Sequence, residues 1–150
     1  MEQALGHVTH YRNLRHWVSA DGNVLPEWML VEFNARDMWQ RTPVVRNNWT
    51  LRASLRARRL VSSAIAKQPV DGLFFHTQVT ALFAGRFMNR MPTVVSLDAT
   101  PINLDSVGTA YDHRPSRLPM VEAAKNVLSR RTFRRATHIT TWNEWAKESL

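Results

Sequence analysis

The chain has 150 residues, 44% of them hydrophobic and 21% charged, which is enough for one domain with its own core and lies outside the disordered class. It has no cysteine, which excludes a disulfide framework, a thiolate metal site and a cysteine nucleophile. The formal charge of +8 invites an anionic partner, either nucleic acid or a lipid surface, and its placement along the chain says more than its total.

The opening MEQALGHVTHYRN lacks the charged-then-apolar order of a signal peptide. No apolar run approaches the roughly 20 residues that cross a bilayer, so the expected location is cytoplasmic. His7 and His10 are close in sequence but lack an HExxH-type partner, so the six histidines do not read as metal ligands. The run WMLVEF at 28–33 predicts a strand. The block RNNWTLRASLRARRLVSSAIAK at 46–67 contains no acid, and its periodicity predicts a helix over 49–66. At about 100° per residue, Arg52, Arg56 and Arg59 share one exposed face while Ala53, Leu60, Val61 and Ala64 share another. The basic face reads either as a solvated surface or as a peripheral contact with anionic lipid on the inner membrane face. No aromatic interleaving, helix-turn-helix or RNP-type motif accompanies it, so no nucleic acid is expected.

After the PVDG turn, residues 72–75 (GLFF) predict a buried strand, and 78–90 a helix that ends before Met91-Pro92. TVVSLD at 93–98 predicts a second buried strand, halted by Pro101. The stretch from Asn103 to Arg117 is the longest irregular one. A helix is expected over 118–133 with Met120, Val121, Ala124, Val127 and Leu128 on one side, followed by the basic run SRRTFRRATH at 129–138. THITTW at 137–142 predicts a third strand, and NEWAKESL a last helix with Asn143 as N-cap. Strands alternate with helices and are apolar without clean alternation. That pattern predicts an α/β, Rossmann-like, doubly wound and mainly parallel sheet.

Open α/β sheets bind ligands beyond the carboxyl ends of their strands. His76 falls one residue past the expected end of its strand, Asp98 and Thr100 at the end of the next, and Trp142 and Asn143 at the end of the third. The convergence makes His76 and Asp98 candidate catalytic groups. Each has a plainer alternative: His76 as a packed core histidine, Asp98 as the residue that holds the turn before Pro101. No GxGxxG or GxxxxGK[ST] loop is present, so no dinucleotide or Walker-type site is expected.

The segments EQALGHVTHYRNL at 2–14, FFHTQ at 74–78, VVSLDATP at 94–101 and TTWNEWAKESL at 140–150 together resemble the amino-terminal domain of the group 1, family 4 glycosyltransferases of GT-B fold. The resemblance spans essentially the whole chain. It implies an acceptor-side domain of an enzyme that transfers a sugar, with retention of configuration, from a nucleotide-sugar donor to a sugar or lipid acceptor. It implies no metal and no other cofactor. By position, Gly6 matches the turn after the family's first strand, where backbone approaches donor and acceptor, and His7 beside it joins the substrate-binding set. His76 matches the polar residue that faces the sugar cleft, and Asp98 and Thr100 match the rim beside the acceptor. Trp142 and Asn143 complete the substrate-binding set.

The chain also departs from the family. The family's first strand would precede EQALGH, and its donor domain would follow NEWAKESL. Its Glu-x7-Glu donor motif is absent, since no two glutamates lie eight apart. The expectation is therefore a single incomplete domain over 1–150, inactive alone, with a groove where an apolar strand belongs. Two alternatives stand beside it: a basic nucleic-acid-binding α/β module, and a non-catalytic subunit that completes its site with a separately encoded donor domain.

Overall fold

A computed structural model describes residues 1–3, 7–32, 41, 45, 48–106 and 119–150, with the backbone alone at 104–106 and 119–122. Among these, the chain is a mixed α/β protein with two short parallel sheets. The elements in order are β1 (Glu2–Gln3), α1 (His7–Ala20), β2 (Val31–Glu32), α2 (Trp49–Lys67), β3 (Leu73–His76), α3 (Gln78–Ala81), α4 (Gly85–Met88), β4 (Thr93–Leu97), α5 (Pro101–Ser106), α6 (Pro119–Arg135), β5 (His138–Thr141) and α7 (Glu144–Glu148).

β4 lies between β3 and β5, and all three run parallel, with His76 opposite Ser96 and Ser96 opposite Thr140. Each crossover is helical, as parallel neighbours require. The middle strand is the most deeply buried. Val95 and Leu97 are fully enclosed and join Phe75, Leu73, Ala81, Ala84 and Met88 in the main core. β1 and β2 form the second sheet, with Glu2 opposite Val31.

α2 starts where Asn48 caps it, its side chain accepting from the Leu51 N–H at 3.1 Å. Its small residues Ala53 and Ala57 are buried with Val31, and Val79 of α3 packs on them. Ser54 ties the two helices, donating to the Val79 carbonyl at 2.6 Å. Gly85 begins α4 where α6 crosses: a Cβ there would run into the Arg135 guanidinium.

Several expectations are corrected. Within 28–32 only Val31 and Glu32 pair as a strand, because β1 offers them a two-residue partner; Phe33 lies outside the described residues. The helix expected over 78–90 is two short helices separated at residues 82–84. The strand at 72–75 runs one residue later, so His76 is its last member. Arg56 is buried at 7% exposure, and its Nη1 donates to the Glu32 carbonyl at 2.7 Å. It lies about 60° around the helix from Ala53, so it belongs to the packed side; Arg59 is exposed and Arg52 half-buried. On α6, Ala124 and Val127 face outward, and Ser129 and Thr132 face inward; the side chains of Met120 and Val121 lie outside the described set. β5 alternates exposed and half-buried residues, since it is the outer strand of its sheet among the described residues. Residues 103–106, expected to begin the irregular stretch, belong to the helix Pro101–Ser106, and residues 107–118 lie outside the described residues. α1 was not anticipated, although Tyr11, Leu14 and Val18 carry helical spacing.

Candidate functional site

The parallel sheet brings three chain positions to one rim. His76 ends β3, Asp98 follows the end of β4, and Trp142 follows the end of β5. The first turn of α1 lies over them and contributes His7 and His10, three apart and hence on one helix face. The four rings form one cluster. His76 lies 5.0 Å from His7 and 4.7 Å from His10, centroid to centroid, both edge-on. His10 stacks on Trp142 at 3.9 Å and 24°. His76 and Trp142 lie 5.1 Å apart. The indole is fixed by its Nε1, which donates to Ser96 Oγ at 2.8 Å.

His76 is fully buried, and neither of its ring nitrogens has a hydrogen-bond partner among the described residues. His7 Nδ1 and Gln78 Oε1 are buried and unpartnered as well. Buried polar groups are nearly always paired, so three unpaired ring nitrogens on the adjoining His7 and His76 are unusual. Burial, then His7, His10 and the Met1 amino group, push the His76 pKa down to about 3. The His10 pKa is lowered by burial and by His7, against the pull of Asp98. His76 is accordingly a neutral imidazole near pH 7, with one donor and one acceptor nitrogen unused.

The backbone beneath the cluster is strained. Thr77 has φ 86° and ψ 148°, a region that glycine alone occupies readily. It is the sole non-glycine residue with positive φ among the described residues. Two bonds hold it there, and a third fixes its partner Glu2. Its N–H donates to the Ser96 carbonyl at 2.7 Å. Its Oγ1 donates to Glu2 Oε2 at 2.6 Å. The other Glu2 oxygen accepts from Trp49 Nε1 at 2.7 Å.

The remaining expected site residues divide. Asn143 is occupied as the cap of α7, accepting from the Ala146 N–H at 2.7 Å and donating to the Asp98 carbonyl at 3.1 Å. Thr100 is buried in a turn, where its N–H and Oγ1 contact Asn103 Oδ1 at 2.9 and 3.0 Å and its Oγ1 meets Ser149 Oγ at 2.7 Å. Asn103 thus organises the turn for which Asp98 was the alternative. Gly6 lies outside the described residues. His76, expected to face a cleft, is instead the floor under His7, His10 and Trp142. Sequence reasoning missed His10, Ser96, Thr77 and Glu2. The i, i+3 spacing of His7 and His10 was the available signal for the first; the Glu2–Thr77 contact has none, being fixed by tertiary packing.

The arrangement offers imidazole donors and acceptors, that of His76 neutral near pH 7, beside a stacked indole and a carboxylate. Among the described residues no group of three or more His, Asp or Glu is placed to hold a metal ion, even though three histidines meet. No described helix is long and apolar enough to cross a membrane. No protein-family model, curated protein or solved structure matches the chain.

Proposed function

We propose that this chain is the acceptor-side, Rossmann-like half of a retaining glycosyltransferase and that the His7–His10–His76–Trp142 cluster is its sugar-binding rim. The observation that carries the reading is a fully buried imidazole with both nitrogens unpaired, roofed by two more imidazoles and an indole at the carboxyl end of a parallel sheet. A sugar presents hydroxyls that need fixed donors and acceptors, and an apolar C–H face that lies well against an indole. Trp142 and His10 supply the faces; Asp98 supplies an acceptor beside them. His76 lies beneath, so it reaches a bound sugar only when the His7 and His10 rings part. Those two rings act in this reading as its cover, and His76 then donates to or accepts from a hydroxyl near the reacting carbon. A nucleotide-sugar is the donor and a sugar or lipid the acceptor. No nucleic acid enters this reading, because no recognition motif accompanies the basic residues of the sequence.

The test is a saccharide and nucleotide-sugar titration of the isotope-labelled chain, followed at the His76 and His10 ring protons and the Trp142 indole N–H. A sugar that binds shifts all three, and Trp142→Ala lowers its affinity at least tenfold. If no saccharide or nucleotide-sugar moves these signals, the cluster is a packing device and the reading falls.

A further inference from the structure

The cover over His76 is itself made of titratable groups. His10, from the first turn of α1, is half-buried, stacked on the Trp142 indole at 3.9 Å and edge-on to the His76 ring at 4.7 Å. His7, three residues earlier, lies 5.0 Å from His76 and 5.6 Å from Trp142. The titratable and charged groups around His10 come from three places: His7 on α1, His76 at the end of β3, and Asp98 just beyond β4. The Met1 amino group, ahead of β1, acts on His76. Trp142 carries no charge. Among the described residues, no carboxylate bonds to any of the three imidazoles.

A proton has no favourable place in this closed arrangement. Two imidazolium rings at these separations repel each other, and a single charged ring within the cluster gives up the water that would solvate it. The start of α1 adds to the cost, because the amino end of a helix disfavours a cation and its first turn holds no acidic residue to offset the charge. Burial and His7 accordingly hold the His10 pKa below its ordinary value. Lifted out of the cluster, the same ring is solvated. Asp98 pulls toward the charged form as well, and its carboxylate takes no hydrogen bond among the described residues. The proton and the closed cover therefore oppose each other.

We propose that His10 is a proton-operated latch: on taking up a proton it leaves the Trp142 stack, the first turn of α1 lifts with it, and His76 is uncovered. Trp142 stays behind as a fixed wall, since Ser96 holds its indole N–H. The inference rests on the sugar-binding reading only for what then enters; the opening itself needs no ligand. Its direction follows from linkage. The open state binds the proton at the ordinary histidine pKa of about 6.5 and the closed state binds it more weakly, so falling pH favours the open state. One such ring raises the open population about tenfold between pH 7.5 and 5.5. The site is thus closed near neutrality and opens on mild acidification, before the charging of His76 itself unfolds the chain.

The experiment treats the full chain with diethyl pyrocarbonate at pH 7.5 and 5.5 and follows each histidine by peptide mass. The reagent attacks neutral imidazole, so an exposed ring of ordinary pKa reacts about tenfold more slowly at the lower pH. His16 and His138, both exposed, serve as references. His76 is expected to do the reverse and react at least fivefold faster at pH 5.5. Its rate should be unchanged by dilute urea, which marks local opening rather than global unfolding. His10→Gln should abolish the rise. Should that variant fail to fold, Asp98→Asn serves instead and should cut the rise at least by half. A His76 rate independent of pH would mean that the cover opens without a proton, and a rate that falls in step with His16 would mean that His76 is never covered. Either result overturns the proposal, as does a rise that survives His10→Gln or one that grows with urea. The saccharide titration decides the sugar-binding reading separately, and its failure leaves the latch standing.

Discussion

Glu2 and Thr77, 75 positions apart in the chain, share a buried 2.6 Å hydrogen bond, and that bond anchors the corner on which the histidine cluster stands. A β-branched residue at φ 86° costs about 1–3 kcal/mol, and it persists because Glu2 and Ser96 bind its side chain and backbone. Thr77→Val keeps the strain and strips one Glu2 oxygen of its donor, for an expected loss of about 2–3 kcal/mol. Thr77→Gly loses the same bond but relieves the backbone, and should fall within about 1 kcal/mol of the parent chain. Urea denaturation of the two variants decides it: if Gly destabilises as much as Val, the corner carries no stored strain.

Acid should unfold this protein through His76. Its folded pKa of about 3 lies below the ordinary 6.5, first through burial and then through His7 and His10. The unfolded chain therefore binds the extra proton between pH 6.5 and 3. The stabilisation of the neutral ring is complete above 6.5 and is lost as pH falls toward 3. At about 1.36 kcal/mol per unit, several kcal/mol vanish across that window, a large share of the about 5–15 kcal/mol that holds a domain folded. His10 acts in the same direction. The difference in urea midpoint between pH 7.5 and pH 5 should shrink by about half in His76→Leu, which keeps the packing and removes the titration. An unchanged difference would assign the acid sensitivity to other groups.

Arg56 and Arg59 should behave oppositely although they lie three positions apart. Arg56 is buried and donates to the Glu32 carbonyl at 2.7 Å. Arg56→Ala should cost about 2 kcal/mol or more, through a lost charge-assisted bond and lost packing of its stem. Arg59 is exposed, and Arg59→Ala should stay within about 0.5 kcal/mol of the parent. Sedimentation with vesicles separates lipid contact from simple solvation. If the face meets anionic lipid, Arg59→Ala weakens that binding at unchanged stability, and equal binding to neutral and anionic vesicles removes the contact altogether.

Turnover tests the proposed chemistry. The chain by itself should transfer no sugar from any nucleotide-sugar, since it carries neither a Glu-x7-Glu pair nor a phosphate-cradling loop. Joined to a donor-binding domain it should become active. There His76→Ala should lower kcat/KM by roughly 10², the scale of one lost transition-state hydrogen bond. Asp98→Asn should lower it too, with little loss of stability, because Asn103 holds the adjacent turn. Turnover by the chain alone, or indifference of the joined enzyme to His76→Ala, would refute this account.

Local pattern determined much of the architecture. The β-branched runs at 93–98 and 137–142, the apolar GLFF segment and the Asn143 cap each signal their element through near neighbours, and the structure has all three strands parallel in one sheet. Strand ends follow from strand positions, so the shared rim of His76, Asp98 and Trp142 was legible too. Tertiary structure alone decided what surrounds those residues. His76 became a floor rather than a contact surface because α1 lies across it, and the closeness of His7 and His10 to a residue nearly 70 positions away is set by packing, not by spacing. Arg56 turned inward because the Glu32 carbonyl was there to receive it, and helical periodicity counts charges without seeing such partners. Thr77 holds a backbone conformation that its own chemistry disfavours, and the residue that enforces it, Glu2, lies at the other end of the chain from any local signal.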